Sequence, residues 1–201
     1  VSFASSPRLS FTYFASILPW INKDKEIVLI GTQNYSLSPS LEYIKEVSKL
    51  NVDAIILTHI GGYPIPDIKK IAEFCKYNQI LLIEDCAHSP LTKIDDKYVG
   101  SFGDASIFSF FPTKPIPAGE GGIVLFKNKE LSKKVSIIRD YGKVNLKNKI
   151  FHKLPAVSNG RLNEFSASIV NTFLNHYEYI QIKKQEIAEI YDNLIPVKFL
   201  Y

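Results

Sequence analysis

One lysine stands out for where it sits. Lys114 lies in the stretch Ser109–Gly122, SFFPTKPIPAGEGG, with a hydroxyl pair (Ser109, Thr113), three prolines and three glycines. Apolar runs flank it, ASIFSF before and GIVLF after, which read as two buried strands joined by a stiff loop. A lysine is a compact point charge whose pKa falls readily on burial, the property that imine-forming lysines exploit. Most lysines are simply solvated, so the reading depends on what else reaches this loop. Asp85 ends an earlier apolar run, with His88 three residues on. Ser109 ends the run that leads into the lysine loop. In open α/β sheets, ligands bind beyond the carboxyl ends of the strands. That rule brings Asp85, Ser109 and Lys114 to one pocket. An amine, a carboxylate and a hydroxyl together suit pyridoxal phosphate: the lysine bonds the aldehyde, the carboxylate pairs with the protonated ring nitrogen, and hydroxyls with backbone N–H groups hold the phosphate.

The elements that must position these groups follow from the hydrophobic pattern. Glu26–Ile30, Val52–Leu57 and Ile80–Ile83 read as buried strands, the last ending on Glu84-Asp85. Between them, Ser40–Leu50 and Asp67–Tyr77 carry apolar residues at helical spacing. Strand, helix, strand, helix, strand predicts βαβ units in a parallel sheet covered by helices on both faces. Ala105–Phe110 and Gly122–Phe126 are the fourth and fifth strands. Only eleven residues, Phe111–Gly121, separate them, too few for a crossover helix, so the fifth is predicted antiparallel or displaced within the sheet. Glu130–Arg139 reads as a helix, 144–160 as a polar loop, and Asn163–Leu194 as one or two long helices. Residues 1–24 are aromatic-rich and irregular, with a short helix ending near Pro19; Ser89–Asp104 reads as a loop with a turn at Asp95-Asp96. The fold class is therefore α/β, a mostly parallel sheet sandwiched by helices, with one antiparallel strand and a long C-terminal helix.

Composition narrows the function classes. The chain has 201 residues, 46% of them hydrophobic and 22% charged, an ordinary globular balance. The formal net charge is +4, but the lysines are scattered, so no nucleic-acid footprint is read. The two cysteines, Cys75 and Cys86, show no metal-ligand spacing, and no metal is expected. No apolar run reaches membrane-spanning length and no signal-peptide pattern is seen, so a cytoplasmic protein with reduced thiols is the expectation. There is no methionine, and the chain starts Val-Ser-Phe, so we expect an internal piece of a longer protein.

Three segments, IEDCAHS (Ile83–Ser89), GSFGDASIFSFFPTKPIPAGEGGIVLF (Gly100–Phe126) and IIRDYGK (Ile137–Lys143), resemble the DegT/DnrJ/StrS aminotransferases. THIGG (Thr58–Gly62) and SNGRLNEFSA (Ser158–Ala167) are similar to two further segments of that family. The resemblance runs from about Glu26 to Leu194. It implies a fold-type-I pyridoxal-phosphate enzyme that moves an amino group, from glutamate as the usual donor, to a nucleotide-linked keto-sugar in amino-sugar or surface-polysaccharide biosynthesis. Carried over by position, Lys114 matches the Schiff-base lysine and proton shuttle. Asp85 matches the partner of the pyridine nitrogen, His88 the group near the ring's 3-hydroxyl, and Ser109 a phosphate ligand. Asn159 matches the asparagine that reaches a neighbouring subunit's phosphate, which implies a homodimer with shared sites. Phe11 resembles the residue lying over the ring. Gly160 and Leu162 depart from the tyrosine and methionine usual there. The resemblance also implies that residues 1–160 are a large cofactor-binding domain lacking its N-terminal strand and Gly-Thr phosphate cradle. Residues 161–201 would be the helix leading into a largely missing small domain. Gly31-Thr32 is not that cradle, because a polar loop rather than an Ala-rich helix follows it.

Each assignment has a plainer counterpart. His88 reads equally as a hydrogen-bonded loop histidine, Ser109 as a strand-end hydroxyl serving backbone, and Asn159 as a helix N-cap. Glu120 reads as a stabiliser of the Gly-rich turn, and His59, His152 and His176 as structural. Two rival functions stand beside the enzyme: a non-catalytic regulatory member that binds pyridoxal phosphate or another ligand, and a phosphate-binding α/β domain built on the GEGG turn. The first leaves the lysine, aspartate and serine set without a task; the second requires Asp85 and Lys114 to be apart.

Overall fold

A computed structural model describes residues 3–5, 27–32, 37–142 and 159–194. Its centre is a six-stranded sheet. In chain order the elements are β1 (Phe3–Ser5), β2 (Ile27–Leu29), α1 (Leu41–Ser48), β3 (Ala54–Thr58), α2 (Ile68–Tyr77) and β4 (Leu81–Asp85). There follow β5 (Lys93–Ile94), β6 (Lys97–Tyr98), β7 (Ala105–Ser109), β8 (Gly122–Phe126), α3 (Lys129–Arg139), α4 (Glu164–Asn175) and α5 (Tyr177–Leu194). The sheet order is β2-β1-β3-β4-β7-β8. All pairs are parallel except β7 with β8, which is antiparallel as the short eleven-residue connection requires.

Register fixes which side chains share a face. Thr58 pairs with Asp85, and Asp85 with Ile107; Leu57 pairs with Glu84, and Glu84 with Ser106. Since side chains alternate along a strand, Thr58, Asp85 and Ser109 look out on one face and Leu57, Glu84 and Ser106 on the other. The main core lies on the second face. There Ile55, Leu57 and Leu82 pack with Ile44 and Val47 of α1 and Ile68, Ile71 and Cys75 of α2, all buried. Burial pushes the Cys75 thiol up to about 12. Ser40 caps α1 by accepting from the Tyr43 N–H, and Asn128 caps α3 by accepting from the N–H groups of Glu130 and Leu131.

The structure differs from the sequence reading in three places. Phe3–Ser5, read as irregular, is a strand in the middle of the sheet, paired with β2 on one side and β3 on the other. Three residues carry too little pattern to announce a strand. The loop of Ser89–Asp104 contains a small hairpin, β5 with β6, turned at Asp95 and Asp96, both with positive φ (48° and 59°). β8, read as buried, is the sheet edge: Ile123, Val124 and Leu125 are exposed, because among the described residues no strand lies outside it. Of the one or two helices read for the C-terminal run, the structure has two, with His176 ending α4 as its C-cap. No helix among the described residues is long and apolar enough to cross a membrane.

Candidate active site

The carboxyl ends of β3, β4 and β7 open into a cleft of about 460 Å³. Thr58, Asp85 and Ser109 reach it from the strand ends, and Ala87, His88, Phe111, Thr113, Lys114, Glu120 and Gly121 complete its lining. A cleft of similar size, about 470 Å³, lies between β8 and α3. Among the described residues its only charged side chain is Arg139, and none supplies the amine and carboxylate that make the first one chemically interesting.

The lysine loop is built as a folded unit. Phe110 N–H donates to Gly121 O and Ala118 N–H to Phe110 O, both at 2.9 Å, closing the loop at its base. Lys114 N–H donates to Phe111 O at 2.9 Å, a turn that carries the half-buried lysine. Phe110, Ile116 and Ala118 are buried with Val170 of α4 in a second small core, against which Leu162, Phe173 and Tyr177 pack. Ser166 Oγ donates to Ala118 O at 2.7 Å and so pins the loop to α4. Gly121 sits at φ 126°, and a Cβ there would collide with Leu162 Cδ1. The GEGG segment thus owes at least one glycine to close packing and backbone shape.

Asp85 bends the chain after β4: its Oδ1 accepts the Ala87 N–H at 3.0 Å, an Asx turn. His88 then faces the cleft beside Asp85 and Lys114. Its Nδ1 accepts the Gly61 N–H at 3.2 Å, so the neutral ring carries its proton on Nε2. Burial depresses the His88 pKa, the Lys114 ammonium depresses it further, and Asp85 partly opposes them. The lysine, the aspartate and the imidazole all line the same cleft. Ser109 Oγ accepts the Phe111 N–H at 3.3 Å, so the strand-end role foreseen for this hydroxyl is also present.

Asn159 does not line this cleft. It is exposed, forms an isolated bridge with Asp140, and its Oδ1 accepts from Arg161 Nε at 3.2 Å. Arg161 in turn lies 3.5 Å from Asp140 and over the Tyr141 ring, tying the IIRDYG and NGRLNE segments together. The N-cap of α4 is Asn163, whose side chain accepts from the Ser166 N–H at 2.8 Å, so the capping alternative for Asn159 is not realised. Phe11 and His152 lie outside the described residues. His176 is structural as read, its Nδ1 2.9 Å from Thr172 O. Glu120 is exposed at the cleft mouth.

Sequence reasoning passed over Thr58 and Phe111 as cleft residues, although THIGG had been singled out and Phe111 directly follows the fourth strand. It also passed over Glu84. This carboxylate is fully buried behind Asp85, where Oε1 accepts the N–H groups of Phe102 (2.8 Å) and Gly103 (2.6 Å). Oε2 accepts the Gly100 N–H (2.8 Å) and faces His59 Nε2 (3.1 Å). Burial opposes its ionisation, but the hydrogen bonds from His59 and from the Gly103 and Gly100 amides prevail and hold its pKa below the usual range. His59, Glu84 and the buried Cys86 cluster tightly enough to ligate a metal. However, both His59 nitrogens and both Glu84 oxygens are already engaged, and burial pushes the Cys86 thiol up, away from thiolate.

The chain is similar to known proteins in sequence and in fold. The sequence is 34% identical over 182 residues to GDP-perosamine synthase of Vibrio cholerae, covering 90% of this chain and 49% of that one. It is 32% identical over 142 residues to UDP-4-amino-4,6-dideoxy-N-acetyl-beta-L-altrosamine transaminase of Campylobacter jejuni, covering 71% of this chain and 38% of that one. The fold superimposes on the crystal structure of the aminotransferase TlmJ from Streptoalloteichus hindustanus with a TM-score of 0.80 at 25% identity, covering 98% of this chain and 52% of that one. The chain spans about half the length of the curated relatives it matches. Residues 9–196 match one family throughout, and with the motifs and the fold this places the chain in the DegT/DnrJ/EryC1/StrS aminotransferase family.

Proposed function

We propose that this chain carries the cofactor-binding half of a pyridoxal-phosphate-dependent sugar aminotransferase. The enzyme moves an amino group from an amino-acid donor, glutamate, to a nucleotide-linked keto-sugar. The observation that carries this is the convergence of Lys114, Asp85, His88 and Ser109 on one cleft at the sheet's carboxyl edge. The donor set fits the cofactor: a primary amine, a carboxylate, a neutral imidazole and a hydroxyl, in a space of about 460 Å³. When bound, the cofactor supplies the electron sink that makes a carbon next to nitrogen acidic.

The chain's own residues do the rest. Lys114 Nζ is the amine that holds the aldehyde and the base that carries the proton. The Asp85 carboxylate, held by the Ala87 N–H, keeps a protonated ring nitrogen charged. His88 offers Nε2–H to an acceptor oxygen. Ser109, with the Gly-rich turn, serves the phosphate. Asn159, exposed and away from its own cleft, is the residue assigned to a second subunit's site, in a homodimer with shared sites. The relatives' names, GDP-perosamine synthase and a UDP-sugar transaminase, support the nucleotide-sugar class. We place the protein in the cytoplasm, where such soluble substrates are made.

The test is direct. Pyridoxal phosphate and then glutamate are added to the protein, and the visible absorbance of the bound cofactor is followed. Bleaching by glutamate, and its return on adding a nucleotide-linked keto-sugar, is the expected result. A cofactor that binds but never bleaches with any amino acid contradicts transfer.

A further inference from the structure

The buried Glu84–His59 pair has no role in the cleft by contact, yet it is joined to the cleft through its hydrogen bonds and the backbone of the 59–65 segment. Both side chains are fully buried on the face opposite Asp85. Glu84 holds the His59 imidazole through Oε2 and Nε2, 3.1 Å apart. His59 Nδ1 accepts the Ile65 N–H at 3.1 Å, which leaves the Nε2–H to donate to Glu84. His59 therefore grips both ends of the 59–65 segment: its own backbone N–H donates to Asp85 O at 3.0 Å, and its ring holds Ile65. Within that span lies a single 3₁₀ turn, Ile60–Gly62, in which Gly61 and Gly62 adopt positive φ (62° and 88°). The turn presents the Gly61 N–H, which donates to His88 Nδ1 at 3.2 Å. Gly62 is packed closely under the same residue, since a Cβ there would lie 3.3 Å from His88 O.

We infer that the Glu84–His59 pair is a positioning device for His88, holding the Ile60–Gly62 turn so that its Gly61 N–H fixes the His88 tautomer and aims an Nε2–H donor at the cleft. The physical need is clear. A neutral imidazole in water exchanges between two tautomers, and only one offers a donor from Nε2. A backbone N–H held at Nδ1 excludes the other. The backbone N–H can be held there only if the glycine turn is anchored at both ends. His88 is faced by Asp85 from the end of β4, Lys114 from the lysine loop and Gly61 from the turn, so a wrongly oriented ring would also disturb the two charged groups of the site. This assignment rests on the reading of the cleft as the active site, but its test does not need cofactor or activity.

The experiment is nitrogen-15 NMR of the histidine rings in the full chain without cofactor, comparing the unsubstituted protein with Glu84→Gln and His59→Gln. In the unsubstituted protein, His59 and His88 are both expected as pure Nε2–H tautomers. In each variant, which circular dichroism must show to be folded, His88 is expected to lose its single tautomer and populate both. A folded variant in which His88 keeps its pure Nε2–H signature would overturn the inference, because a pair with only a structural role leaves that signature untouched. If neither variant folds, the unsubstituted protein decides: an Nδ1–H tautomer at either His59 or His88 overturns it. Failure of cofactor binding elsewhere, with these ring signatures intact, would count against the aminotransferase reading and not against this device.

Discussion

Ser166 Oγ donates a 2.7 Å hydrogen bond to the Ala118 carbonyl, forty-eight positions earlier in the chain. Through it, the helix that follows the polar segment holds the loop that carries Lys114. Ser166→Ala leaves the buried carbonyl without this donor, so a loss of about 1–3 kcal/mol in unfolding free energy is expected. Urea titration measures it. Hydrogen exchange of the loop amides at Lys114 and Ala118 should accelerate more than that of the core strands. Uniform acceleration would show that the bond stabilises the fold as a whole and does not specifically order the lysine loop.

His88 has a pH dependence whose sign follows from its surroundings. Burial and Lys114 depress its pKa, so the folded state holds the ring neutral where the unfolded chain begins to protonate it. Its contribution to stability is full above the unfolded value of about 6.5 and is lost as pH falls toward the lower folded value. NMR titration should give a His88 midpoint below that of a free histidine. Lys114→Met removes a depressing charge and should raise the midpoint; Asp85→Asn removes an opposing charge and should lower it. Shifts of the reverse sign would mean that the two groups do not face His88 together.

Glu84 gives the chain an acid limit. Its hydrogen bonds keep the folded pKa below the unfolded one despite burial, so its stabilisation is present above the unfolded value of about 4.3 and lost as pH falls through and below it. Glu84→Gln should cost about 3 kcal/mol at neutral pH, since one amide nitrogen must then face an N–H donor. The variant should also lose part of the steep fall in stability between about pH 5 and pH 3. An unchanged acid slope would place the acid sensitivity in other carboxylates.

Much of this arrangement was legible in the sequence, and the parts that were not share a reason. β3, β4 and β7 announce themselves as apolar runs. The connection after Phe110 is too short for a crossover helix, which left an antiparallel or a displaced fifth strand, of which the structure has the first. Asp85, Ser109 and Lys114 could be placed together because parallel strands put their carboxyl ends at one edge. β1 was not legible, because three residues become a strand only through partners on both sides. The exposure of β8 was not legible either, since an apolar run reads the same at an edge as in the middle. Asp85 was assigned and its neighbour Glu84 was not. Alternation sends the two to opposite faces, and what Glu84 binds is backbone of residues 100–103 folded back over β4, which no side-chain pattern reports.

Gly121→Ala separates packing from chemistry in the GEGG turn. The added Cβ meets Leu162 at a backbone angle that L-residues avoid, so a loss of about 1–3 kcal/mol is expected, measured by thermal or urea unfolding. Gly119 also has positive φ, but open space surrounds its Cβ position, so Gly119→Ala should cost less. Equal costs would mean that backbone strain, and not the Leu162 contact, accounts for the glycine at 121.

The central claim is that Lys114 is the amine that holds the cofactor. Pyridoxal phosphate is added to the protein, the bond is reduced with borohydride, and the labelled peptide is identified by mass spectrometry. One stoichiometric adduct on Lys114 is expected, with loss of the visible absorbance in Lys114→Ala. Stoichiometric labelling of a different lysine, or an absorbance that survives the substitution, would contradict it.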